Sequence, residues 1–316
     1  MIDTPSLLDA LDTSVTIPVI PFKDGAIDFD GHAKNISYLM NNNYLKDAET
    51  GATRPRVISV AGTSLIHHIS PAEQTQIFDV AGQTMGSEGI LMSAIAPNPI
   101  SVAGSLVEEQ SKLQRPPDVY LIMPLAGTAS PEGVYESFME FGEKYGTSCG
   151  ARFIYYFRQP REREAVIRLL NDSPHFVGVK IGTTEDDVPT FIDGVGDNAL
   201  VIWGIGDRSS GPAEKGAKGH TSGIAVLCAR ASDEINNANR RGDYDAARAV
   251  EAAIAPLEEI RFYNGRIYNY SAVVEVMNLS GFDDIVGGEG GPFNPKVPAD
   301  VSAQLQAMMP TLVEYH

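Results

Sequence analysis

Eight short apolar runs, each separated from the next by a helical pattern, constrain this chain more than any other feature. They are SVTIPVI (14–20), RVISVA (56–61), GILMSAIA (89–96), DVYLIMP (118–124), ARFIYYF (151–157), HFVGVKI (175–181), ALVIWGI (199–205) and HTSGIAV (220–226). The runs are continuous rather than alternating, as expected of strands buried on both faces of a parallel sheet. The segments between them carry helix signals. Asp28 is set to cap DFDGHAKNISYLMNN, and Ser70, Pro71 and Glu73 spell a capping box with proline at the first helical position. Ser130–Pro131 opens a further helix, predicted to end at Gly146. Strands alternating with helices predict βα units with right-handed crossovers. Eight units in about 215 residues predict a closed (β/α)8 barrel over 1–227. An open doubly wound sheet would need a glycine-rich first turn, and PFKDGAIDFD lacks one.

From about residue 228 the pattern is helical only, with two helices broken at Gly242 and two more at YSAVVEVMNLSG and PADVSAQLQAMMPTLVEY. No linker separates them, so 228–316 reads as a helical region packed on the barrel. Lys+Arg number 24 against Asp+Glu 41, a formal net charge of −17. This argues against a nucleic-acid binder, which needs clustered basic residues. Cys149 and Cys228 have no metal-ligand spacing, and a disulfide framework is excluded by count. No apolar stretch reaches membrane-spanning length, and the opening segment lacks a basic start and an apolar signal core. The expectation is a cytoplasmic protein with no membrane partner and no metal.

One residue is out of character. Lys180 ends the sixth run, where the surrounding Phe176–Val179 and Ile181 demand burial, and lysine is seldom buried without purpose. At the C-terminal end of a barrel strand it points to the mouth, where active sites lie. Desolvation there lowers its pKa and frees the amine as a nucleophile. The plain alternative is a lysine that reaches solvent and pairs with Glu185 or Asp186. Tyr156 ends the fifth run, so a phenol for proton transfer stands on the adjacent strand. Tyr155 points the other way, toward the helices. Gly62, Thr63 and Ser64 follow the second run and offer neutral donors for a small carboxylate. Arg158 and Arg161 follow Tyr156; a guanidinium there can grip a second carboxylate, although a loop position also suits a solvated arginine. Asp207 and Ser209, after the seventh run, are candidate substrate contacts at the rim. His67 and His68 flank the carboxylate loop without a ligand set around them.

Together these stretches resemble the family of dihydrodipicolinate synthase and N-acetylneuraminate lyase, Schiff-base class I aldolases and dehydratases on (β/α)8 barrels. VIPFKDGAIDFDG is similar to the family's opening segment, and VAGTSLIHHISPAEQ to its Gly-Thr-Thr-Gly-Glu segment. IYYFR resembles the strand that ends in the catalytic tyrosine, VGVKIGTTED the segment with the imine-forming lysine, and GAKGHTSGIAV the eighth strand. GDYDAARAVEAAIAPL and NLSGF resemble the C-terminal helices. The resemblance implies Lys180 as the Schiff-base lysine, Tyr156 as the catalytic phenol, Thr63 and Ser64 as carboxylate binders, and Thr221 and Ser222 near the substrate. It implies no cofactor beyond the covalent lysine imine, a small 2-oxo acid as substrate, and a homo-oligomer.

Departures from the family pattern narrow the activity. Leu65-Ile66 replaces the family's Gly-Glu, a gap that His67 and His68 are candidates to fill, and MPLAGTASP lacks the tyrosine of the fourth-strand loop. VGGEGGPFNP reads as a structural loop before the last helix. The expectation is an aldolase or dehydratase acting on pyruvate or a 2-keto-3-deoxy sugar acid. Its rivals are dihydrodipicolinate synthase proper and a non-catalytic barrel that only binds a 2-oxo acid.

Overall fold

The computed structural model describes residues 2–60 and 62–316; Ala61 of the second run lies outside the described residues. All eight runs contain strands: β1 (Ser14–Thr16), β2 (Val57–Val60), β3 (Ile90–Ile95), β4 (Val119–Ile122), β5 (Phe153–Phe157), β6 (Phe176–Ile181), β7 (Leu200–Trp203) and β8 (His220–Ser222). Every neighbour pair is parallel, and β1 pairs with both β2 and β8, so the sheet closes into an eight-stranded barrel. Parallel pairing requires a crossover at each step. Helices supply these, from Phe29–Asn41 after β1 to Ala225–Arg240 after β8. The fold is a (β/α)8 barrel with additional C-terminal helices.

Local chemistry sets the helix starts as the sequence predicts. The Asp28 carboxylate accepts from the Gly31 N–H at 2.9 Å, and Ser70 and Glu73 form the reciprocal capping box. The helix from Pro131 runs on to Cys149, however, and Gly150 in the left-handed conformation ends it. Gly146 lies inside this helix, because the His175 ring packs where its side chain would be, 2.2 Å from an ideal Cβ. It is a close-approach glycine, not a terminator.

The tail from residue 228 belongs to the same body. The helix Ala225–Arg240 loses helical geometry at Cys228, and Tyr244–Arg266 follows after the left-handed Gly242. Arg56 at the start of β2 anchors the first of these. Both its Nη atoms donate to the Asp233 carboxylate at 2.7 Å, and the pair is fully buried. Such a pair is stable only when the leftover donors are satisfied. Here they reach the Leu39 and Asn42 carbonyls at 3.1 and 2.6 Å. Helices Ser271–Ser280 and Ala299–Leu312 complete the layer with Val273, Val276, Leu305 and Leu312 buried. The glycine-rich loop before the last helix is structural, as its sequence suggests: the Glu289 N–H donates to the Phe22 carbonyl at 2.9 Å.

Candidate active site

Strand β5 alternates regularly. Tyr155 faces the helices, with Phe138 edge-on at 5.5 Å and its hydroxyl donating to buried Glu162 at 3.0 Å. Tyr156 therefore faces the barrel interior. Strand β6 does not alternate regularly. Phe153 pairs with Phe176 but Ile154 pairs with Gly178, so β6 carries an extra residue at Val177. Phe176 packs outward against Phe138 at 6.0 Å. With strict alternation Lys180, four residues on, would share that face. The bulge reverses the phase and turns Lys180 inward. It then stands directly opposite Tyr156 in the ladder, with Nζ 4.3 Å from the centre of the phenol ring.

The pair is nearly sealed, Lys180 being 3% and Tyr156 6% exposed. Glu185 and Asp186, the alternative partners of Lys180, are engaged by Lys215 at 3.4 and 2.9 Å. Burial pulls the Lys180 amine below its ordinary pKa; the neighbouring phenol opposes this, while Arg266 and Arg158 add to it. Burial pushes the Tyr156 phenol up. The surrounding Lys180, Arg266 and Arg158 charges, with a hydrogen bond from Arg158 Nη1 at 3.5 Å, overcome that and bring it to about 7. An amine whose pKa is drawn down, beside a phenol that titrates near neutrality, can attack a carbonyl and move the protons that follow.

These two side chains share a small cavity, about 40 Å³, with Thr63, Thr221, Gly204 and Gly223. Gly204 is required: a Cβ there would lie 2.8 Å from both Cγ and Cε of Lys180. Thr63 comes from the turn Gly62–Ser64 after β2, and its hydroxyl has no protein partner among the described residues. The Ser64 hydroxyl is likewise buried and unpartnered, although Ser64 does not line the cavity. An unpaired, buried Thr63 hydroxyl in the same cavity as the amine suits a carboxylate ligand. A wider cleft of about 680 Å³, against Asp12 and Gly219, lies at the opposite, N-terminal ends of the strands.

Several expected contacts lie elsewhere. Asp207 is fully buried, and its carboxylate accepts from Ser222 at 2.8 Å and Ser232 at 2.6 Å, with His220 Nε2 at 3.2 Å. Asp207 and Ser222 thus lock β8 to the helix behind it and have nothing left for a substrate. Ser209 is also structural, its N–H donating to Glu251 at 2.8 Å. Arg161 is exposed on the turn Pro160–Glu162, away from the cavity, whereas Arg158 lies against Tyr156. His67 and His68 are exposed, and the space behind them is filled by buried Leu65 and Ile66. Among the described residues no three His, Cys, Asp or Glu side chains are grouped to hold a metal.

The roof of the cavity escaped the sequence reading. Arg261, Phe262, Arg266 and Asn269 reach over the mouth from the end of the helix Tyr244–Arg266 and the turn after it. Arg261 is buried, ion-paired with Glu258 and bonded to Asn269 Oδ1 at 2.8 Å. Gly223 gives it room, since a Cβ there would stand 2.2 Å from Arg261 Nη2. The only signal in the sequence was a basic IRFYNGR stretch after an acidic LEE.

Known proteins share this architecture. The model of the dihydrodipicolinate synthetase family matches residues 161–296. A 4-hydroxy-tetrahydrodipicolinate synthase of Thermodesulfovibrio yellowstonii is 22% identical over 254 residues, covering 79% of this chain and 82% of that protein. Among solved structures, dihydrodipicolinate synthase from Bacillus clausii superposes with a TM-score of 0.83 at 21% identity, covering 96% of this chain and 99% of that one. The Acinetobacter baumannii dihydrodipicolinate synthase complexed with pyruvate gives 0.80 at 20% identity, covering 96% and 99%.

Proposed function

Because the chain is a divergent relative of the dihydrodipicolinate synthase family, we propose that it is a class I lyase working through a lysine imine. The Lys180 amine attacks the ketone of pyruvate or a longer 2-oxo acid, and water leaves as the imine forms. Thr63 holds the substrate carboxylate, with Ser64 next to it on the same turn, and Thr221 also lines the cavity. The protonated imine is an electron sink. Either a carbon–carbon bond breaks to leave an enamine, or a hydroxyl departs as water, with Tyr156 carrying the protons. No cofactor is needed beyond the covalent imine. The observation that carries this reading is the Lys180 amine 4.3 Å from the Tyr156 ring on the adjacent strand.

Pyruvate in the structure of the Acinetobacter relative supports a 2-oxo acid as ligand. The fourth-strand loop MPLAGTASP, without a tyrosine, favours a 2-keto-3-deoxy sugar acid over the synthase reaction. We infer a homo-oligomer acting in the cytoplasm; no helix among the described residues is long and apolar enough to cross a membrane. Borohydride reduction in the presence of pyruvate, and separately of 2-keto-3-deoxy sugar acids, tests the chemistry. The expected result is a mass increment on the peptide containing Lys180, absent in Lys180→Ala. Folded protein that yields no adduct with any 2-oxo acid refutes it.

A further inference from the structure

Gly223, the residue after β8, has two neighbours that leave no room for a side chain. A Cβ there would meet Arg261 Nη2 at 2.2 Å and Thr63 Cγ2 at 3.1 Å. A guanidinium and the carboxylate-binding threonine therefore crowd the same point, and both line the cavity that holds Lys180 and Tyr156. In the ring of strands β1 stands between β2 and β8, while β5 and β6 lie across from them. Arg261 and Thr63 thus share the wall opposite the amine and the phenol.

The guanidinium is fixed in place by its own partners. Nη1 donates to the buried Glu258 carboxylate, Nη2 to Asn269 Oδ1 at 2.8 Å and Nε to the Asn269 carbonyl at 3.5 Å. Glu258 in turn accepts from the Asp207 N–H at 3.2 Å. Three of the five N–H groups of Arg261 are engaged, which leaves one on each Nη for the occupant of the cavity. An anion taken out of water needs a charge or several donors. The Thr63 hydroxyl supplies one donor, and Ser64 does not line the cavity. Nor can Lys180 offset the carboxylate at the moment of attack, because only the uncharged amine is a nucleophile. Arginine stays protonated throughout.

We propose that Arg261, beside Thr63, is the counter-ion of the carboxylate next to the ketone, so that the C-terminal region restricts the site to 2-oxo acids over uncharged ketones. This deepens the lysine-imine reading of the same site and rests on it. The N–H groups left on Arg261 are charge-assisted donors, roughly twice as strong as neutral ones. Glu258 and Asn269 are positioning residues that hold the guanidinium plane. Gly223 is the gap through which it reaches the threonine.

The test compares pyruvate with pyruvamide, in which a neutral amide of nearly the same size replaces the carboxylate. Calorimetry is done in Lys180→Ala, where no covalent step follows and the dissociation constant reports the carboxylate contacts alone. The expected constant is lower by at least about tenfold for pyruvate. Adding Gly223→Ala pushes Arg261 aside. Its clashes are with side-chain ends and its backbone is not left-handed, so the fold tolerates the methyl group. Crowding weakens both compounds alike, so a ratio that falls to about one isolates the guanidinium. The same fall is expected in Lys180→Ala/Glu258→Gln/Arg261→Met, which removes both charges of the pair, whereas Arg261→Lys in place of that change retains part of the preference. Circular dichroism checks folding, and Gly223→Ala decides alone if the triple variant unfolds. Equal affinity for the two compounds, or no pyruvate binding in Lys180→Ala, overturns the proposal, as does a preference that survives Gly223→Ala. The two readings fail separately. A calorimetric preference with no borohydride adduct in the intact chain supports Arg261 and sinks the imine, whereas an adduct on Lys180 without the preference does the reverse.

Discussion

At the scale of single residues, the site rests on one cation beside one phenol. The chain has 12 tyrosines, and burial pushes Tyr38, Tyr120, Tyr155 and Tyr270 well above the ordinary phenol range. Tyr156 is held at about 7 by the charges around it. Below that pH it is a proton donor and above it a phenolate. A spectrophotometric titration should therefore show one phenolate forming near neutrality, with the signal gone in Tyr156→Phe. In Lys180→Met the nearest cation is lost, so the midpoint should rise by at least about one pH unit. An unmoved midpoint would mean that the lysine does not set the phenol's ionisation. Lys180 and Tyr156 were legible in the sequence because an ionisable group at the end of an apolar run has few bland explanations. Asp207 misled for the opposite reason. Its position after a strand fits a rim residue, and only three dimensions reveal that Ser222, Ser232 and His220 already use its carboxylate.

Elements decide which way those residues point. Eight runs of continuous apolar character announce parallel strands, and the ring closure follows from their number. The sequence is silent about phase, since a strand buried on both faces shows no alternation to betray an extra residue. Val177 is that residue, and it places Phe176 among the helix-facing aromatics while Lys180 faces the interior. Deletion of Val177 restores plain alternation and forces a choice between packing Phe176 and presenting Lys180. We expect borohydride trapping to fall at least ~100-fold in the deletion variant, as for other angstrom-scale misplacements of reacting groups. Circular dichroism separates this from unfolding. A folded deletion variant that traps pyruvate normally would show that the bulge does not orient the lysine. Helix boundaries were less legible than strands: Gly146 carries a stop signal by type, yet the His175 ring it accommodates comes from the next βα unit.

Over the whole molecule, barrel and C-terminal region make one site. Its lining runs from Ile17 to Asn269, so neither portion is sufficient. A space of about 40 Å³ has room for a few waters, not for a sugar acid. We expect the turn Phe262–Arg266 to swing outward when a substrate enters, because its backbone departs from the helix there. Tyr263 leaves helical geometry at ψ 140°, and Asn264 and Gly265 follow at φ 42° and 74°. Hydrogen exchange tests the motion. Once pyruvate has been reduced onto Lys180, amides in a peptide spanning 262–269 should exchange about tenfold more slowly, while those of β6 stay unchanged. Equal exchange with and without the adduct would make the roof static. The C-terminal helices were readable as helices, but their reach over the mouth was not. An arginine on an amphipathic helix looks the same in sequence whether it meets solvent or a substrate.

The way the roof is fastened separates it from the machinery beneath. Glu251 holds the N–H groups of Ser209 and Ser210 at 2.8 and 2.7 Å, and Glu258 accepts from the Asp207 N–H at 3.2 Å. Both anchors lie upstream of Phe262, and the overhang that follows contributes nothing to closing the barrel. The stretch from Phe262 to Asn269 is thus an exchangeable cassette. A library confined to those few codons, with Arg266 retained because its charge acts on Lys180 and Tyr156, would sample new substrates over a fixed ring of strands.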